Sequence, residues 1–298
     1  MAATPNLERF HLDGFSVCWF ISVNPILPPL LVKEEGWRSL RKLVLGPNLC
    51  YATPRGVAPW KIRLLPPLPS GLQSLEILGS DPEIVHNLFF VADGQADPNP
   101  APGGWGPPWQ ELPDQNLSNL EVFRCLPSMP DPRLWKHVLR PAVQSGALKV
   151  LELAISAYSG FDMLPRPVTN EWTHADLVPA TDLAFAHSDN LHTLALHDFN
   201  FDHEVSRFGG SRFNGQPFLD WLECFPKLHT VGVYPGDWEA VPAFIMKLIL
   251  HPRVKVIHQD NLRGANWDEA RELAKKHGVE LHHSSRHMPA GWPMIHEE

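Results

Sequence analysis

One spacing of apolar residues recurs along this chain: an apolar position, two others, an apolar position, one other, an apolar position. It reads LERFHL from Leu7, LRKLVL from Leu40, LQSLEI from Leu72, LSNLEV from Leu117, LKVLEL from Leu148, LHTLAL from Leu191 and LHTVGV from Leu228. The starts lie 33, 32, 45, 31, 43 and 37 residues apart, so the template is fixed while its connections differ. The second half of each copy alternates with the period of a β-strand. In LHTLAL, Leu194 and Leu196 fall on one face, and Thr193, Ala195 and His197 on the other.

No copy can fold by itself. A short strand buries about three side chains worth roughly 1.5 to 3 kcal/mol each, whereas ordering about thirty residues costs about 1 to 2 kcal/mol apiece. Stacking the copies as parallel strands, with returning segments behind them, closes the deficit through shared interfaces. The segments 131–146, 216–226, 238–252 and 267–278 carry apolar residues at helical spacing, and the last ends on Gly278. VKVIH and VELHH, after the last two, read as further strands. The expected fold is α/β: an irregular solenoid over residues 1–288, with a curved parallel sheet inside and helices or loops outside, and a tail at 289–298.

Composition refines this picture. Proline makes up 31 of the 298 residues, so regular structure must come in short pieces. The stretch 92–116 is dense in Pro and Gly and is expected to be a mobile surface insertion; 159–180 is similar, and together they explain the long steps. The net charge is -8 with no run of Lys and Arg, which argues against nucleic acid as a partner. The four cysteines, Cys18, Cys50, Cys125 and Cys224, lie far apart without a CxxC pair and read as free thiols in a reducing compartment. No basic, then apolar, leader opens the chain, and FSVCWFISVNPILPPLLV is interrupted by Asn24, Pro25, Pro28 and Pro29. The expectation is an intracellular protein, cytoplasmic or nuclear, without a membrane span.

With these seven copies the chain resembles the irregular leucine-rich repeat proteins found among F-box proteins, especially fungal ones. The resemblance runs from Leu7 to about Leu281. That family places Asn or Cys eight positions after the first leucine. Asn48 and Cys125 match, whereas Phe15, Ser80, Ser156, Phe199 and Gly236 do not. The resemblance implies a module that selects substrates for an SCF-type ubiquitin ligase, docking the ligase adaptor through a helical F-box ahead of the repeats. A repeat already begins at Leu7, so an F-box finds no room in this chain. Either it has been lost, or the chain is a fragment, or the module works without a ligase, as a scaffold or regulatory binder.

If the strands stack in order, the middle exposed row is His11, Val44, Glu76, Glu121, Glu152, Ala195 and Gly232. Three glutamates would then be neighbours at about 4.8 Å, repelling one another by about 0.9 kcal/mol per pair in water and about 3.5 kcal/mol at an effective dielectric near 20. The adjoining row reads Asp13, Gly46, Leu78, Phe123, Ala154, His197 and Tyr234. Negative charge beside Leu78 and Phe123, with His197 and Tyr234 further along, has the makeup of a protein contact for a basic, partly apolar segment. Glutamate can also serve as plain soluble filler in such strands.

Catalysis and cofactors find little support. GxSxG, a P-loop, HExxH and a dinucleotide fingerprint are all missing, and FGGSRFNG (208–215) lacks the Lys and spacing of a phosphate loop. His192, His197 and His203 crowd together with Asp198 and Asp202, but His192 and His197 point to opposite faces of a strand and cannot converge on a metal. His282, His283 and His287 are expected in a frayed end beyond the last strand. Of the eleven tryptophans, Trp37, Trp135, Trp221, Trp238 and Trp267 suit packing behind the sheet, while Trp105 and Trp109 lie in the 92–116 insertion. No catalytic residue, metal or cofactor is expected.

Overall fold

The computed structural model describes residues 6–12, 38–46, 68–78, 90–92, 109–111, 117–126, 140–154, 189–199, 219, 222–223, 225–235, 241–260 and 262–283. Nine strands form one open, all-parallel sheet in chain order. They are β1 (Arg9–Leu12), β2 (Lys42–Leu45), β3 (Ser74–Ile77), β6 (Val122–Cys125), β7 (Val150–Ala154), β8 (Thr193–Phe199), β9 (Thr230–Pro235), β10 (Val256–Gln259) and β11 (Glu280–His283). Between β3 and β6 the chain leaves the sheet and makes a separate antiparallel pair, β4 (Phe90–Ala92) with β5 (Trp109–Glu111). The segment 92–116, read from its sequence as aperiodic, therefore has a strand at each end of its described part.

Each strand contributes alternate side chains to one core. Leu43, Leu75, Phe123, Leu151, Leu194 and Val231 follow one another across the sheet, and all belong to a single hydrophobic cluster. The first leucines of the copies form a second buried row through Leu40, Leu72, Leu120, Leu148, Leu191 and Leu228. Burial of this kind contributes roughly 1.5 to 3 kcal/mol per side chain, which is the shared backing that no single copy supplies.

Helices cover that apolar face. α1 (Arg140–Gln144) brings Ala142 and Val143, and α2 (Val241–Ile249) brings Val241, Phe244, Ile245, Leu248 and Ile249 into the same cluster. α3 (Gly264–His277) buries only Ala270 and Ala274, as its lower apolar content dictates, and ends where Gly278 turns left-handed at φ 67° with its N–H returned to Ala274 and Lys275. Leu219 and Leu222, the described helical residues of 216–226, are buried in the cluster as well. Trp267 packs against it with partial burial. Trp37, Trp105, Trp135, Trp221 and Trp238 lie outside the described residues, as do Asn48, His203, His287, 159–180, 208–215 and 289–298. No described helix is long and apolar enough to cross a membrane.

One copy is framed differently from the sequence reading. Pairing of β3 with β6 sets Leu75 opposite Phe123, Glu76 opposite Arg124 and Ile77 opposite Cys125. The fourth copy therefore begins at Leu120, not Leu117, three residues later than read from the sequence. Leu117 is a turn residue whose carbonyl accepts the Leu120 N–H at 3.0 Å, the role that Pro69 plays for Leu72 and Phe225 for Leu228. Leu43, Leu75 and Leu151 do line up on successive rungs, but Phe123 stands where Leu120 was expected. With the frame moved, Cys125 is the last core position of its strand and no longer matches the family's Asn/Cys position, which falls on Ser128.

Candidate functional site

The frame shift rewrites the polar face. Along the middle row the sheet reads His11, Val44, Glu76, Arg124, Glu152, Ala195, Gly232, His258 and His282. Three adjacent glutamates do not occur; an arginine separates two of them. Glu121 instead lies at the N-terminal edge of the sheet, where its carbonyl accepts the N–H groups of Lys149 and Val150 and its carboxylate takes Lys149 Nζ at 2.6 Å.

From β2 to β9 the side chains connect without a break. Lys42 Nζ lies 2.9 Å from Glu76 Oε1, and Ser74 Oγ donates to the same oxygen at 3.3 Å. Arg124 Nη1 donates to Glu76 Oε2 at 2.9 Å, while Arg124 Nε pairs with Glu152 Oε2. Glu152 Oε1 is bonded to His197 Nε2 at 2.6 Å, and the His197 ring stacks on Tyr234 with centroids 4.4 Å apart and planes 13° off parallel. Side chains from six consecutive strands of the sheet take part. Parallel register makes this possible, since each step from one strand to the next is about 4.8 Å, within reach of a long side chain.

This ladder is buried. Arg124 is 3% exposed, Glu76 5%, Glu152 0%, His197 4% and Tyr234 0%. Burial pushes the Glu76 carboxyl up, but Arg124 and Lys42 together outweigh it and hold the group below its usual value. Glu152 follows the same logic: burial raises it, and His197 and Arg124 bring it below the ordinary carboxylate range. Burial raises the Tyr234 phenol, with Glu152 and Asp260 adding to the effect, and its hydroxyl finds no hydrogen-bond partner among the described residues.

Chemically, the arrangement is a brace. Both oxygens of each carboxylate are engaged, and a carboxylate held below its usual pKa is a poor proton acceptor at neutral pH. Among the described residues, no group of three or more His, Cys, Asp or Glu side chains converges as a metal site would require.

The residues expected at a protein contact are thus distributed differently. Glu76, Glu152, His197 and Tyr234 are brought together, as constituents of the ladder. Leu78 is 3% exposed and Phe123 0%, with Phe123 pointing into the apolar core because its strand is framed three residues later. Glu121 stands apart at the edge. The premise for a basic partner segment, three uncompensated glutamates, is gone, because Arg124 and Lys42 neutralise Glu76 and Glu152 from within. Arg124 and Lys42 are the site residues that sequence reasoning missed. The signal was present: two glutamates on β3 and β7 demand a cation on the strand between them, and only the later frame supplies one.

The histidines also resolve. His192 and His197 keep different company: His197 on β8 bonds Glu152, whereas His192, the residue before β8, meets Thr193 Oγ1 through Nδ1 at 2.9 Å and stacks on His229 at 5.3 Å. His282 and His283 belong to β11 and are not frayed; His282 stacks on His258 at 4.9 Å, and His283 meets the edge of Trp267. Burial, then the neighbouring His282, push His258 down to about 4.

Compared with known proteins, the chain matches no family model, no curated protein and no solved structure.

Proposed function

We propose that this chain is an irregular solenoid of the leucine-rich repeat type, acting as a protein-recognition module, with substrate selection for ubiquitin ligation as its setting. The observation that carries the reading is the sheet itself: nine parallel strands in chain order, sharing one register, with leucine rows on one face and a polar ladder on the other. Stacked repeats of this kind make long, stiff surfaces suited to recognising other proteins. The ladder supports binding over proton transfer, because its charged groups are already mutually satisfied and hold the strands in one arrangement. Support for the ubiquitin setting is the sequence resemblance alone.

The test is affinity capture from cells of the tagged protein expressed from its own gene, after mild cross-linking. A stoichiometric protein partner, recovered together with an SCF-type adaptor and ubiquitin-conjugated forms, is the expected result. A partner without adaptor or ubiquitin overturns the ligase setting and leaves a scaffold. Recovery of no stoichiometric partner overturns the recognition reading.

A further inference from the structure

We propose that the N-terminal edge of the sheet from β7 to β10 is a docking strip for an extended acidic segment of a partner protein. The inference rests on the recognition reading above and narrows it to a place and a sign of charge.

Four residues that immediately precede successive strands form one row. His192 N donates to Lys149 O at 3.0 Å, His229 N to His192 O at 3.1 Å and Lys255 N to His229 O at 2.8 Å. Three strand spacings make the row about 14 Å long. At its centre the rings of His192 and His229 are stacked, 1° from parallel. Each ring is fixed from behind by the following threonine: His192 Nδ1 lies 2.9 Å from Thr193 Oγ1, and His229 Nδ1 lies 2.8 Å from Thr230 Oγ1. Both threonines are buried, and each hydroxyl engages Nδ1, which leaves Nε2 as the second polar atom of each stacked ring. His229 and Lys255 are exposed, and His192 and Lys149 are half-buried.

Two further cations stand one turn earlier in the chain. Lys227 Nζ donates to Asn190 Oδ1 at 2.6 Å, and Arg253 Nη1 donates to the carbonyls of Glu223 and Phe225 at 2.7 and 3.2 Å. These acceptors position the side chains without neutralising them. Of the acidic groups nearby, Glu121 is taken up by Lys149, Asp189 and Glu223 are exposed at the same turns, and Glu280 on β11, whose N–H donates to Lys255 O, lies 3.4 Å from His282 Nε2 just beyond the strip's end. Setting Asp189 and Glu223 against Lys227, Arg253 and Lys255 leaves one positive charge within the strip. In a chain of net charge -8 the strip is a local reversal of sign. An extended peptide presents same-side carboxylates about every 6.6 Å, so three of them match the length of the row, and hydrogen bonds from imidazole and ammonium to carboxylate are the strong, charge-assisted kind.

The test uses the full 298-residue chain and three labelled probes: a peptide alternating glutamate and serine, its glutamine counterpart, and a single-stranded RNA of equal charge. Fluorescence anisotropy is read at low and high salt. The glutamate peptide should bind best, with affinity falling as salt rises, and the K227E/K255E double variant should weaken it roughly tenfold. The control substitutions Glu8→Gln and Gln73→Glu, farther along the same edge, should leave it unchanged. Equal binding of the glutamine peptide, tighter binding of RNA, or unaltered affinity in K227E/K255E overturns the strip. Unchanged capture of the cellular partner by K227E/K255E also overturns it while leaving the recognition reading intact, whereas a wild-type chain that captures no partner brings down that reading instead.

Discussion

Arg124 on β6 donates to Glu76 on β3 at 2.9 Å across 48 residues of sequence, and that one contact fixes the register of the fourth repeat. The same guanidinium holds Glu152 on β7, so it is a buried cation between two buried anions. Removing it by Arg124→Met strands both carboxylates, and loss of one member of a buried ion pair costs about 3–5 kcal/mol. Urea denaturation should show that loss. The triple variant Arg124→Met, Glu76→Gln, Glu152→Gln should recover most of it, because the only ladder cation it deprives of a carboxylate, Lys42, is one-third exposed and no buried carboxylate is left unpaired.

Glu121 provides the matched contrast. Its pair with Lys149 sits at the sheet edge, with side chains 30% and 41% exposed, and such pairs contribute roughly 0–1 kcal/mol. Glu121→Gln should therefore change stability by less than about 1 kcal/mol, well below the effect of Glu152→Gln. Equal losses at the two positions in denaturant titrations would contradict the register.

Acid should weaken the fold in two stages. Burial holds His258 neutral down to about 4, and His192 and His251 are likewise lowered by burial. An unfolded chain binds protons at these histidines near the usual 6.5 while the folded chain does not, so the stability they contribute is present above that pH and declines as it falls toward 4. Glu76 and Glu152, lowered in the folded state, add a second loss below the usual carboxylate value of 4.5. Melting temperature followed from pH 8 to 3 should decline over both ranges, and His258→Asn should shrink the first decline selectively.

Phe123 and Cys125 report on the core side of β6. Phe123→Ala should cost about 3–5 kcal/mol as a buried cavity, an effect on stability and not on an exposed contact. Burial raises the Cys125 thiol well above its usual value, so it should resist alkylation in the native protein and react only after unfolding, as peptide-level mass spectrometry would read. Rapid native labelling of Cys125 would place β6 in the other frame.

Six of the seven repeat frames were legible in the sequence, as were α2, α3 and the two extra strands β10 and β11. Their leucines recur at a fixed spacing and have only one apolar alignment available. The β4–β5 pair was not legible, because strands of three residues are too short to show a usable period. The fourth frame was ambiguous on local grounds: Leu117, Leu120 and Val122 satisfy the template, and so do Leu120, Phe123 and Cys125.

Hydrophobic periodicity alone therefore determined that the chain makes parallel strands, in order, over a shared apolar backing. Which side chains meet on the other face was decided only in three dimensions. One frame sets Glu121 between Glu76 and Glu152, repelled by about 3.5 kcal/mol per pair at an effective dielectric near 20; the other sets Arg124 there and turns repulsion into attraction. Those charges lie 28 to 48 residues apart in sequence, so their interaction exists only once β3, β6 and β7 are side by side, and no local pattern can register it.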